Sequence, residues 1–257
     1  MAKIMIYLLY ISLGLAPSVV WLLFYLRKDT HPESNRMILK IFFYGMIAAV
    51  IAALIEIGIS GVLVAVGENW FKTFPFLFFV LYHFLIIALV EECSKYLIIR
   101  EKVINNPEFD EPVDTMLYMI IIALGFAALE NILVLFSGKG PLLFGEAVAI
   151  SSFRFIGATF LHALCSGTLG YFLALSFFES KKRLKLIIKG IVVATLLHGL
   201  FNISIIEIEK GLTSQNSLLL TFSVISLVII LSGLAFFVSF GFRKLKKMAS
   251  ICKLDIR

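Results

Sequence analysis

The stretch PFLFFVLYHFLIIALVEECSKYLIIREK, residues 75–102, is an apolar run that ends in two adjacent glutamates, Glu91 and Glu92, with Lys95 one turn on. A helix needs ~20 largely apolar residues to cross the hydrocarbon core of a bilayer. This run reaches that length only if the glutamates and the lysine are counted into it. A charge at a helix centre costs ~2.5 to 3.5 kcal/mol, so such groups must face one another, a cavity or a ligand. The stretch therefore reads as a membrane span carrying a polar centre.

The rest of the chain supports a membrane setting. Of its 257 residues 60% are hydrophobic and 16% charged, a balance of integral membrane proteins. About seven apolar runs are set off by polar punctuation, at 4–26, 37–67, 75–99, 115–136, 147–178, 186–206 and 217–240. The expected fold is all-α: a polytopic membrane helix bundle forming one domain over 1–257. The first run resembles a secretory signal at its start, but LGLAPSVVWLLFYL stays apolar past the small-residue site, so an uncleaved helix is expected. The second and fifth runs exceed one perpendicular span, which predicts tilt, a kink or an interfacial end.

Arginine and lysine cluster in alternate connections. Arg27, Lys28, Arg36 and Lys40 lie after the first span, Arg100 and Lys102 after the third, and Lys181, Lys182, Arg183, Lys185 and Lys189 after the fifth. Arg243, Lys244, Lys246, Lys247, Lys253 and Arg257 fill the tail, against Lys72, Lys139 and Lys210 on the other side. The positive-inside rule then places the N-terminus outside and the C-terminus in the cytoplasm. The net charge of +6 is thereby assigned to anionic lipid, and no nucleic-acid partner is expected. Cys93, Cys165 and Cys252 show no paired or CxxC spacing and read as packing residues. His31 and the breakers Pro107 and Pro112 lie in polar connections too short to hold a soluble domain.

The polar residues inside the spans are Glu56, His83, Glu91, Glu92, Lys95, Glu130, Asn131, Arg154, His162, His198 and Asn202. Glu91 and Lys95, four apart, share a face and are expected to pair, with Glu92 turned about 100° away and left free for chemistry. His198 and Asn202 are also four apart and present an imidazole and a carboxamide together. Gly167 and Gly170 follow His162 and admit a close neighbour. Glu56 and His83 have no companion motif and are assigned to packing or pairing. Glu91, Glu92, Glu130, His162, His198 and Asn202 together hold a general base, imidazoles for a metal ion or an oxyanion, and an amide donor. Those parts activate a water and polarise a carbonyl.

EECSK fits an EExxK motif, FAALEN fits FxxxEN, FLHALCSGTLG fits a histidine followed by spaced glycines, and HGLFN fits HxxxN. In this order on successive helices they resemble the PrsW family of intramembrane proteases, itself similar to the CAAX prenyl protease and bacteriocin-immunity group. The resemblance covers 75–204, which it marks as the protease core; Arg154 also looks like a family feature. It implies hydrolysis of a peptide bond in a membrane-anchored protein, such as the first cut of an anti-sigma factor, in a prokaryotic cell membrane.

On this reading Glu91 or Glu92 is the base, His162 and His198 bind a metal or the oxyanion, and Asn202 donates to the oxyanion. Glu130 is a metal ligand or orients a histidine, with Lys95, Asn131 and Arg154 in support. Zn2+ held by His162, His198 and Glu130 and a metal-free glutamate mechanism are both compatible. At ~1.5 Å per residue Glu91 lies roughly 24 Å from Pro75 and Glu130 about 9 Å from Phe136, which predicts two polar layers. The alternative reading is a transporter or channel that uses the same carboxylates and histidines for a cation or protons. It would be expected to show an internal repeat, and none is visible in the sequence.

Overall fold

The structure, a computed structural model, describes residues 2–28, 33–104, 106, 109, 111–137 and 140–248. The readings on His31, Pro107, Lys139, Cys252, Lys253 and Arg257 lie outside the described residues. Among those described, seven segments are long and apolar enough to cross a membrane. The protein is an all-α integral membrane bundle.

The helices are α1 (Ala2–Leu26), α2 (Asn35–Thr73), α3 (Pro75–Leu81), α4 (Leu89–Lys102), α5 (Pro112–Phe136), α6 (Phe144–Ile156), α7 (Ala158–Phe178), α8 (Arg183–Thr213) and α9 (Ser217–Leu245). Helices α3, α5 and α9 begin with recognisable start signals. Pro75 and Pro112 sit in the opening turns of α3 and α5, where a missing N–H costs nothing. At α5 the Asp114 carboxylate accepts from the Glu111 amide at 2.6 Å, half of a capping box. Asn216 caps α9 by accepting from the Leu219 amide at 3.1 Å.

Two spans depart from a single rod, and the second run, expected to tilt, kink or end at the interface, is one 39-residue helix without a break. The third run is α3 and α4 joined by a π-helical segment, Tyr82–Ala88, and such segments gather at functional sites. The long fifth run is two helices separated at Gly157, whose φ of −91° and ψ of −97° end α6 and begin α7.

The core is built on α5 and α7. Nearly every residue of α5 from Pro112 to Ala128 is buried, as expected for a helix apolar on all sides. α1 and α2 pack on one flank of α5, α7 on another, and α8 and α9 close over α7. Glycine sets the closest approaches: a Cβ at Gly125 would stand 1.9 Å from the Phe42 carbonyl oxygen, and one at Gly45 2.1 Å from that of Ile122. Gly170 meets the Met116 backbone in the same way. Gly125→Ala is expected to push α2 off α5 and cost ~1 to 3 kcal/mol. Thermal unfolding in detergent micelles checks this; an unchanged midpoint would show that the two helices are not held at this distance.

Candidate metal centre

The expected Lys95–Glu91 pair is present, but Lys95 lies closer to Glu92. The Lys95 ammonium donates to Glu92 Oε1 at 2.8 Å and to His162 Nδ1 at 2.9 Å, lies over the Phe126 ring at 4.2 Å, and is 3.8 Å from Glu91. Residues three and four apart are both neighbours on a helix, so spacing alone does not choose between the two glutamates. Helices α7 and α8 choose. Ser166 donates to Glu92 Oε2 at 2.9 Å and His198 Nδ1 donates to Glu92 Oε1 at 3.0 Å. Glu92 is thereby the fully partnered carboxylate. Glu91 keeps only the longer 3.8 Å contact to Lys95, and its Oε2 is buried without a hydrogen-bond partner.

The two imidazoles are held by their outer nitrogens. His162 donates its Nε2 proton to Glu130 Oε2 at 2.7 Å, which leaves the Nδ1 lone pair facing inward, where it accepts from Lys95. His198 spends its Nδ1 proton on Glu92 and turns Nε2 inward, 3.7 Å from Glu91 Oε2; His162 Nδ1 is 3.8 Å from the same oxygen. The rings meet edge to face with centroids 4.9 Å apart. Glu91, His162 and His198, all buried, thus offer one donor atom each within 4.8 Å of one another.

The expected separation into two layers disappears, because one imidazole bridges it. His162 touches Glu130 with one nitrogen and faces Glu91 with the other. Glu130 itself takes the orienting position behind His162, while Glu91 stands with the two histidines. Arg154 donates to Asn131 Oδ1 and reaches Glu130 Oε2 at 3.4 Å. Asn131 in turn donates to the Gly14 carbonyl at 3.2 Å and Thr159 Oγ1 at 3.0 Å, tying α5 to α1 and α7. Asn202, one turn after His198, is half-buried, and no hydrogen bond of its carboxamide is found among the described residues. The Glu130 and Arg154 side chains are 30% and 20% exposed, so this end of the cluster opens outward.

Glu56 is assigned by the sequence to packing or pairing. Its Oε1 is buried without a partner, and its charge is within electrostatic reach of Glu91, Glu130 and Lys95. On the same helix Ala48, Ala49 and Ala52 pack against Phe126, and Ala52 and Glu56, four apart, share a face. His83 lies apart from the cluster, its Nδ1 donating to the Phe79 carbonyl at 2.7 Å.

The donor chemistry suits a metal ion. One carboxylate and two imidazoles are a three-ligand set of catalytic zinc sites, and each imidazole here donates its other N–H to a carboxylate, the usual support of a metal-bound histidine. The unpartnered Glu91 oxygen between the two ring nitrogens is what such an ion would satisfy. Fold and cluster together define a class: a polytopic membrane protein with a buried centre able to hold one metal ion.

Comparison with known proteins narrows the class. The model of the PrsW family, described as intramembrane metalloproteases, matches residues 33–234. The chain belongs to that family and is an intramembrane protease. It is 29% identical to Protease PrsW of Bacillus subtilis (strain 168) over 248 residues, covering 96% of this chain and 98% of the relative. It is 29% identical to Protease PrsW of Geobacillus kaustophilus (strain HTA426) over 78% of this chain and 81% of that one. The corresponding protein of Clostridioides difficile (strain 630) is 28% identical over 74% of this chain and 76% of its own length. No solved structure matches.

Proposed function

We propose that this protease cuts a membrane-anchored protein of the anti-sigma-factor class, with Glu91, His162 and His198 holding a zinc ion. One observation carries the reading: both histidines spend their outer N–H on carboxylates and turn their remaining nitrogens toward the Glu91 oxygen that has no hydrogen bond, and His162 Nδ1, which here accepts from Lys95, would exchange that donor for the ion. A zinc ion held by these three residues would supply Lewis acidity and lower the pKa of a water toward neutrality.

The chain's own groups do the rest. Glu92 anchors His198 and neutralises Lys95, and so keeps the centre rigid. Glu130, the site carboxylate that reaches solvent, takes the proton of the attacking water; His162 and Arg154 hold it in place. Asn202 donates its free carboxamide to the oxyanion that forms from the scissile carbonyl. The scissile bond reaches the cluster from the open end beside Glu130 and Arg154. By the lysine and arginine pattern that end faces away from the cytoplasm of a bacterial cell membrane.

The test compares new protein N-termini in membranes of cells expressing wild type and Glu91→Gln at equal abundance. Termini beside membrane anchors that appear only with wild type are expected, and they name the substrates. Glu91→Gln is a cleaner probe than Glu92→Gln, because it leaves the hydrogen-bond partners of Lys95, Glu92 and His162, in place. Identical termini in both strains, under envelope stress as well, would overturn the proposal and make ion flux the next assay.

A further inference from the structure

On the side of α7 away from His162 a trough of about 620 Å³ runs between α1, α9 and the joint of α6 with α7, a volume typical of small-ligand sites. Its floor is aromatic. Trp21 stacks on Phe160 at 4.2 Å and on Phe155 at 5.3 Å between ring centroids. One end is basic, with Lys28, Arg243 and Lys246 at its rim, and no carboxylate lines it among the described residues. The basic end lies where α1 and α9 leave the hydrophobic span, the depth of lipid headgroups, and the aromatic floor lies deeper. Basic pockets between membrane helices in that position recognise acidic headgroups.

We infer that this trough is a binding site for an anionic phospholipid, whose phosphate is held by Lys28, Arg243 and Lys246 and whose acyl chain lies on Trp21, Phe155 and Phe160. The charge pattern selects this occupant. A zwitterionic lipid would leave three cations facing one phosphate and its own ammonium, whereas a headgroup of net negative charge complements them.

The site has a structural consequence. The Trp21 indole donates to the Phe155 carbonyl at 2.9 Å, and Phe155 and Phe160 flank the break at Gly157. Arg154 precedes that break and His162 follows it, so a lipid on the trough floor bears on the joint that positions both. The binding inference itself rests on no assignment of the chemistry at the metal centre.

The test uses the full-length protein with Trp70→Phe, which leaves Trp21 as the one tryptophan of the two in the chain. It is reconstituted in phosphatidylcholine bilayers containing increasing fractions of lipid brominated on its acyl chains, which quenches indole fluorescence on contact. Brominated phosphatidylglycerol is expected to quench Trp21 at roughly fivefold lower mole fraction than brominated phosphatidylcholine. Adding K28Q, R243Q and K246Q together is expected to remove the difference, with unchanged emission in unbrominated phosphatidylcholine showing that the fold is intact. Equal quenching by the two lipids in the unaltered rim would overturn the inference without recourse to the triple variant. A preference that survives the triple variant would overturn it as well, by placing the acidic headgroup elsewhere.

Discussion

His198→Ala is expected to lower the rate of peptide-bond cleavage by about three orders of magnitude or more and to leave the purified protein without its metal ion. The rate follows from losing several kcal/mol of charge stabilisation at the reacting centre, at ~1.4 kcal/mol per factor of ten. The metal loss follows from geometry. His198 Nε2 and His162 Nδ1 stand 3.7 and 3.8 Å from the same Glu91 oxygen, so removing one imidazole takes away one of three donors and opens the cluster to water. Metal per chain is read by elemental analysis beside single-turnover cleavage. A variant that retained one metal ion per chain would place the ion elsewhere and dissolve the proposed centre. Asn202→Ala serves as the contrast: it is expected to keep the metal and lose rate, because the carboxamide is assigned to the oxyanion alone.

The second large effect is on stability. Glu92→Ala leaves the Lys95 ammonium, with 0% exposure, without the carboxylate that it contacts at 2.8 Å. Breaking a buried ion pair from one side costs ~3 to 5 kcal/mol, because the remaining charge is stranded. Glu91→Ala removes a carboxylate 3.8 Å from that lysine and is expected to cost much less. Removing both charges, as Glu92→Gln with Lys95→Met, is expected to restore most of the stability and none of the activity. The double replacement separates the two roles. Heat-induced exposure of the buried Cys165 thiol reports unfolding in micelles. Equal loss of stability in Glu91→Ala and Glu92→Ala would show that Lys95 is shared evenly, contrary to the observed distances.

Much of the fold was legible in the chain. Spans announce themselves by length and apolarity, since water is absent from the hydrocarbon core and each helix must satisfy its own backbone there. The seven apolar runs therefore correspond to the seven membrane segments. The breaks were harder to read. A continuous helix, a helix with a π segment at Tyr82–Ala88 and a pair hinged at Gly157 are equally apolar, and composition does not distinguish them.

At the site the boundary between the two kinds of information is sharper. The ordered motifs around Glu91, Glu130, His162 and His198 were visible because each is a local pattern, and local patterns place side chains on a helix face. The assignment of Lys95 to Glu91 was a reasonable use of the same rule and holds only in part: Lys95 is 3.8 Å from Glu91 and 2.8 Å from Glu92, which Ser166 and His198 approach from two other helices. Glu56 was assigned to packing or pairing because its companions Ala48, Ala49 and Ala52 carry no chemistry and matter only through the close approach of α2 to α5 that they permit.

The sequence by itself determined that this protein lives in a membrane, which helices carry its polar groups, and the family to which it belongs. Those are consequences of side-chain type and spacing along one helix. Tertiary structure alone decided which glutamate is bonded and which is left with an unpartnered oxygen, that His162 joins two polar layers into one centre, and that a basic-rimmed trough lies behind it. Each of these depends on groups brought together from separate helices, and the periodicity of a single helix holds no record of its neighbours.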